Sequence, residues 1–437
     1  MNPKGSESRE ASVSRPGAGA SVDQWLQYLE AIHPAEIELG LDRVLVVLRR
    51  LFPRNPGARI ITVAGTNGKG TAVTTLERLL LAAGRTTGAY TSPHLERYNE
   101  RVRLNGADID DASLIRAFGQ VEEARGSVPL TYFEFGTLAA FVAFAEAGVQ
   151  DWILEVGLGG RLDAVNVLDA NYAMITAVDI DHIGFLGDNR NVIGFEKAGI
   201  LRPGIDAVCA DPSPPPSVLQ QASAQKVQLQ LTGRDYQIQP LPERDRVALV
   251  LGSESYRLPA GPLPVESVAG AVVLARKLVP QLSAEQIEAT LAGIRVPGRF
   301  EQLQNSPLVV LDVGHNPHAA RWLAGKLEAL RADYGTVRGV YGALADKDTA
   351  GVMAAMKPVV DIWYFAGLDV PRGLSADELQ ARAAQSEIGP GHAFVSVAEA
   401  LDQARRDAAP EDIVIVFGSF FTVAEARALC QHHAEIC

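Results

Sequence analysis

The sequence predicts an α/β protein built on parallel sheets, and three observations carry that expectation. Apolar runs of strand length repeatedly end in Gly- or Asp-rich turns and lead into helical patterns, the alternation of a parallel sheet. One such unit, residues 60–83, sets a strand, a glycine-rich turn and a helix in a row. The series restarts after Val296-Pro297-Gly298-Arg299, and 437 residues exceed what one hydrophobic core usually serves, so two domains follow.

Residues 1–20 are rich in Ser, Gly, Pro and charge and lack the apolar centre of a signal peptide, so they read as a disordered tail. The first domain is placed at 21–297, with strands expected over 59–64, 152–156 and 173–178, ahead of Gly65, Gly157 and Asp179. Residues 138–147 are the greasiest run, yet they are too few to span a bilayer and include Glu146. Near 229–264 polar and apolar residues alternate, which predicts a small antiparallel insertion, followed by a helix over 267–279. The second domain, 298–437, has strands expected over 308–313, 337–341, 361–366 and 413–417.

Acidic residues outnumber basic ones, 52 to 40, and the net charge of -12 repels a nucleic-acid polyanion. Cys209, Cys430 and Cys437 have no paired spacing, which argues against a disulfide framework or zinc site and fits a reducing compartment. No apolar run reaches the length of a membrane span, so a soluble, cytoplasmic protein is expected.

The strongest local signal is Gly65-Thr66-Asn67-Gly68-Lys69-Gly70-Thr71 between a strand and a helix. That arrangement aims several backbone N–H groups at one anion, and the helix dipole adds favourable charge. Lys69 is placed to reach terminal phosphates, and the Thr71 hydroxyl to lie near a metal. Gly70 separates two residues that are adjacent in the usual phosphate loop, and the competing reading is an ordinary glycine turn.

A bound triphosphate needs Mg²⁺, which takes hard oxygen ligands. Glu155 lies in a strand-like run before Gly157-Leu158-Gly159-Gly160-Arg161, where a carboxylate is costly unless a cation meets it. His182 follows the next strand, and Ser92 follows the short run 88–91. All three converge if their strands share the carboxyl edge of one sheet. Alone, His182 reads more readily as a structural histidine, and Lys197 as a helix-surface lysine. A buried Lys197 would instead have a lowered pKa, and its neutral amine would be able to take up CO2 as a carbamate.

These motifs fall in order with Leu39-Gly40-Leu41-Asp42-Arg43-Val44, Ser92-Pro93-His94-Leu95, Arg101-Val102 and Thr131-Tyr132-Phe133-Glu134. Further on stand Leu162-Asp163, Glu196-Lys197-Ala198-Gly199-Ile200, Pro297-Gly298-Arg299-Phe300 and Asp312 with Gly314-His315-Asn316-Pro317. Asp346-Lys347-Asp348 and Phe417-Gly418-Ser419-Phe420 complete the set. From about Leu39 onward the chain resembles the folylpolyglutamate synthase and dihydrofolate synthase family, the folate branch of the Mur ligases. That family shares the Gly-Lys-Gly order of the phosphate loop.

The resemblance implies a Mur ligase-like fold: an N-terminal P-loop ATPase domain with a parallel sheet, plus a smaller, Rossmann-like C-terminal domain. It implies ATP contacts at Thr66, Asn67, Gly68, Lys69, Gly70, Thr71, Arg299 and Asp312, and magnesium ligands at Ser92, Glu155 and His182. It also implies a carbamylated Lys197 that helps hold a second Mg²⁺. Arg43, Thr131, Tyr132, Phe133, Glu134 and Leu162 match positions near the pterin, and His315 and Ser419 are candidates for the incoming glutamate; both read equally as turn or capping residues. Two positions depart from the pattern. Ser267 stands where the family usually has an Asn that meets the nucleotide, and Asp312-Val313-Gly314-His315 alters the turn between Asp and His.

The implied reaction joins L-glutamate to dihydropteroate or a reduced folate through an acyl phosphate, with Lys69, Lys197, His182, Glu155 and Arg299 as the catalytic set. The family suggests a monomer that binds neither nucleic acid nor membrane. Another Mur-type amide ligase, or a nucleotide switch without ligase chemistry, are the alternatives; the switch leaves Lys197, Arg299 and Asp312 unexplained.

Overall fold

The computed structural model describes residues 14–17, 19–33, 38–386, 388 and 391–436, without the side chains of 432–436. Residues 1–13 and 18 of the expected tail lie outside the described residues. The first lobe is organised by an eight-stranded sheet: β1 (Arg59–Ala64), β2 (Thr87–Tyr90), β3 (Val102–Leu104), β4 (Ala107–Asp108), β5 (Asp151–Glu155), β6 (Tyr172–Ile175), β7 (Asp206–Cys209) and β8 (Gln228–Leu231). In space they run β4-β3-β2-β5-β1-β6-β7-β8. All neighbours from β2 to β8 pair in parallel, and β3 and β4 add an antiparallel edge.

Every residue of β5 is buried, as the centre of a parallel sheet covered on both faces requires: an apolar Trp152-Ile153-Leu154 between two acids. Trp152 stacks on Phe141 at 5.7 Å, so the helix Tyr132–Glu146 covers one face of the sheet. That helix absorbs most of the greasy run 138–147. Its residues 134 to 144 are buried on all sides, which makes it a core helix; no described helix is long and apolar enough to cross a membrane. The helices Lys69–Ala82 and Val265–Leu278 pack together on the opposite face.

A three-stranded antiparallel sheet follows, β9 (Tyr236–Pro240), β10 (Arg246–Leu251) and β11 (Glu254–Pro259). The insertion thus starts later than residue 229, because Leu229 belongs to β8 and pairs in parallel with β7. The second lobe has β12 (Glu301–Asn305), β13 (Leu308–Asp312), β14 (Val337–Tyr341), β15 (Ile362–Ala366), β16 (His392–Phe394) and β17 (Ile413–Phe417), in the order β12-β13-β17-β14-β15-β16. Only β12 is antiparallel.

In the first sheet the chain leaves β1 to one side, toward β2, and returns from β5 across β1 to β6. Such a switch opens a crevice beyond the carboxyl ends of the strands. β6 ends at Ile175 rather than at 178 because the next residues turn to the crevice wall. The Thr176 hydroxyl donates to Asn67 O at 2.7 Å, and Ala177 O accepts the Thr66 amide at 2.6 Å.

Candidate active site

The loop after β1 lies across this crevice. Gly68 has φ +84, which a side chain rarely tolerates, and a Cβ there would stand 2.2 Å from Ser267 Oγ. The helix then begins at Lys69 with its first amides free for an anion. Ser267, which stands where the family usually has an Asn, is buried directly against this loop.

Lys69 folds back so that its amine donates to Gly65 O at 3.1 Å and Thr66 O at 3.4 Å. Burial lowers its pKa, while Glu155 and Asp181 pull it up. Thr71 Oγ1 is buried without a hydrogen-bond partner. Glu155, at the carboxyl end of β5, is 4% exposed and accepts from the Ser92 amide at 3.4 Å. Burial pushes its carboxyl up, and Lys69 and then Arg299 oppose that.

Gly65, Thr66, Lys69, Gly157, Gly159, Asp181, His182, Leu186 and Lys197 line the pocket at the crevice floor. Lys197 is therefore not the helix-surface lysine that its local pattern suggests. It is 4% exposed, and burial, with Lys69 nearby, brings its pKa down to about 7. The close approach depends on Gly160, where a Cβ would sit 2.6 Å from Glu196 O. Burial likewise lowers His182 to about 4. An orphaned buried hydroxyl, a buried carboxylate lacking a cation contact and the neutral imidazole of His182, on an exposed turn at the pocket's edge, form a donor set that fits a divalent metal with phosphate and water completing its shell.

The second lobe closes the crevice from the other side. Arg299 lies over the Phe420 ring at 5.1 Å, within electrostatic reach of Glu155 and Asp312. Asp312 accepts from the Phe300 amide at 2.9 Å and the Gly314 amide at 2.8 Å, so its carboxylate already anchors the turn. Glycine at 314 suits this, since a Cβ there would lie 2.9 Å from Asp312 Oδ1. Asn67 reaches across to pair with Asn316 through bonds of 3.0 and 3.1 Å, and its Nδ2 lies 2.9 Å from His318 Nδ1.

Some residues expected near substrate are held by the framework. Thr131 caps the helix Tyr132–Glu146, and Glu134 returns a bond to the Thr131 amide at 2.9 Å while holding Arg43 Nε at 2.8 Å. Phe133 packs where a Gly157 Cβ would be, and Leu162 is half-buried in the loop after β5. Tyr132 shares the Arg101 guanidinium with Tyr98, at 5.6 and 5.1 Å. Ser419 is 3% exposed, and its hydroxyl meets Thr422 Oγ1 at 2.7 Å and accepts the Thr422 amide at 3.0 Å. Its hydroxyl caps the following helix, the capping role that was one of its two expected readings. His315 Nε2 faces Asp181 Oδ2 at 3.2 Å.

Sequence reasoning assigned no role to Asp181, Asn316, Lys347 or the His94–Arg101 pair, in which Arg101 Nε donates to His94 Nδ1 at 2.8 Å. The signal was present, since Asp181 adjoins His182, and Asn316 and Lys347 lie inside motifs already singled out.

The family described as "Mur ligase, glutamate ligase domain" matches residues 298–420. The dihydrofolate synthase/folylpolyglutamate synthase of Escherichia coli K12 is 43% identical over 410 residues, covering 94% of this chain and 95% of that protein. The structure of E. coli FolC in complex with DHPP and ADP superposes with a TM-score of 0.91 at 42% identity, over 96% of this chain and all of that one. A bifunctional folylpolyglutamate synthase/dihydrofolate synthase with Mn, AMPPNP and L-glutamate bound gives a TM-score of 0.88, also at 42% identity, over 96% of this chain and 100% of that one.

Proposed function

The chain belongs to the dihydrofolate synthase/folylpolyglutamate synthase family, and from that premise we propose that it is a cytoplasmic, ATP-dependent ligase adding L-glutamate to dihydropteroate and to reduced folates. The observation that carries this reading is the crevice itself. A phosphate loop with a half-buried lysine on one lobe meets Arg299 of the other, and Glu155 is within electrostatic reach of both.

A carboxylate is a poor acyl donor, so the γ-phosphoryl group of ATP first passes to the pterin-side carboxylate, giving an acyl phosphate and ADP. The glutamate amine then attacks the acyl carbon, and phosphate leaves. Phosphoryl transfer depends mainly on positioning and charge neutralisation. The amides of Asn67 to Thr71 cradle the phosphates, and Lys69 and Arg299 meet the transferring group from opposite lobes. Ser92, Thr71, Glu155 and His182 would hold Mg²⁺, which neutralises phosphate charge and polarises the transferring group when bound. Lys197, with its amine near neutrality, would combine with CO2 to give a carbamate and a proton, adding an oxygen ligand for a second ion. On the pterin side, Tyr132, Phe133 and Leu162 offer apolar surface on a frame fixed by Arg43, Glu134 and Thr131. His315 is the proposed contact for the incoming glutamate.

The test is phosphate release from MgATP with glutamate present, comparing dihydropteroate, a reduced folate and no pterin. Release with both pterins is expected. Release with one alone narrows the activity to a single step, and release with neither refutes the folate reading in favour of another Mur-type substrate.

A further inference from the structure

The segment after β6 carries Asp181, and both of its carboxylate oxygens are engaged. Oδ1 accepts from the His182 amide at 2.7 Å and from Lys347 Nζ at 2.8 Å. Oδ2 accepts from Asn316 Nδ2 at 2.9 Å and faces His315 Nε2 at 3.2 Å. His315, Asn316 and Lys347 all come from the second lobe, whereas His182 lines the crevice floor with Lys69 and Lys197. The backbone of His182 has φ 52, in the left-handed region that a non-glycine residue holds only where its surroundings fix it. One carboxylate thus braces that turn and gathers three side chains from across the cleft.

We propose that Asp181 is a positioning residue that makes lobe closure and the placement of His182 one event. The inference rests on the ligase reading above. When the lobes part, Asp181 loses three donors at once, regains water and is free to rotate off the His182 amide, so the left-handed turn loses its brace. When they meet, charge-assisted bonds from Lys347 hold the carboxylate against that amide. The site is then assembled only while it is shut.

The acyl phosphate makes this measurable. Attack by the glutamate amine on the acyl carbon breaks the bond to the phosphate oxygen and yields amide, phosphate and a proton. Attack by water breaks the same bond but yields the free carboxylate, phosphate and a proton, and consumes ATP for nothing. A cleft that stays shut excludes the second path. Phosphate released per amide formed therefore reports how well closure outlasts the intermediate.

The experiment follows phosphate and amide together in the full chain, with MgATP, L-glutamate and whichever pterin supports turnover. Asp181→Asn keeps an oxygen for the His182 amide but removes the charge that holds Lys347, and Lys347→Met removes the partner. Each is expected to lower kcat about tenfold or more, to raise the phosphate-to-amide ratio about twofold or more, and to leave the KM for ATP within about threefold. Should Asp181→Asn fail to fold, Lys347→Met carries the test alone. Arg427→Met breaks a different contact between the lobes, to Glu96, and should keep the wild-type ratio. Parallel loss of phosphate and amide at an unchanged ratio overturns the proposal, as does equal uncoupling in Arg427→Met. Wild-type protein with no pterin-dependent turnover overturns the ligase reading instead.

Discussion

Strand β5 begins and ends with a buried acid, and the two are treated in opposite ways. Asp151, 0% exposed, takes Arg59 Nε at 2.6 Å and Arg85 Nη2 at 3.0 Å, with another bond from Arg85 Nε. Glu155, four residues on, accepts only a long bond from the Ser92 amide, and burial raises its pKa in spite of Lys69 and Arg299. A buried carboxylate without a partner is costly, whereas one clamped by guanidinium groups is largely compensated. The amino edge of the sheet therefore carries an acid compensated within the fold, whereas the acid at the carboxyl edge has no ion-pair partner among the described residues.

The largest effect is expected where that contrast bears on turnover. Lys69→Ala should lower kcat by about 10²–10³, roughly 3–4 kcal/mol of lost transition-state stabilisation, while its thermal melt stays near that of wild type. Retained turnover would break the contrast at the carboxyl edge. Asp151→Ala should do the reverse, lowering stability by about 3 kcal/mol in urea unfolding. That figure is the lower end of the usual range, because Arg59 and Arg85 are 29% and 26% exposed and can reach water once orphaned. Activity per folded molecule should not change, and a fall in kcat would show that the amino edge is not merely structural.

Glu155→Gln sharpens the comparison within a single residue. Removing an uncompensated charge should stabilise the ligand-free protein by about 1–2 kcal/mol while abolishing most activity. The sign of its pH dependence follows from the raised folded pKa. At pH values below the ordinary 4.5 the group is protonated in both states and contributes no difference. As pH rises from 4.5 through the folded pKa, the native state binds the proton longer than the unfolded chain, so wild type loses stability with pH. The advantage of the variant should be near zero in acid and grow upward through that window, in urea titrations free of nucleotide and metal. A constant difference would mean that Glu155 is paired after all.

Much of this was legible in sequence because it lies in backbone-dictated pattern. The run 59–64 and the glycines at 65 and 68 fix a strand and an anion loop almost without reference to the rest of the chain. What was illegible depends on tertiary contact. Lys197 reads as a surface residue until Gly160 brings the 157–160 loop against its helix, and only then is it buried. Strand β6 looked longer in sequence because β-branched Thr176 and apolar Ala177 and Val178 continue its pattern, yet the Thr176 hydroxyl and the Ala177 carbonyl bond to the phosphate loop. Asp181 could not be assigned because all three of its side-chain partners come from more than 130 residues away. Arg43 illustrates the reverse: its motif was visible, but its guanidinium is locked to Glu134, so it serves the frame of the lobe.

The finest test concerns Thr71, whose hydroxyl is buried without a partner next to a helix start that also lacks one. If the hydroxyl is kept for a metal, Thr71→Val removes an unsatisfied group and should leave the ligand-free melt unchanged or raise stability by about 1 kcal/mol at most. The rise in Tm that MgATP adds over ATP alone should then shrink, because the variant has lost a ligand that only the metal uses. A ligand-free loss well above 1 kcal/mol would mean that the hydroxyl supports the fold, and Thr71 would move to the same side of the comparison as Asp151.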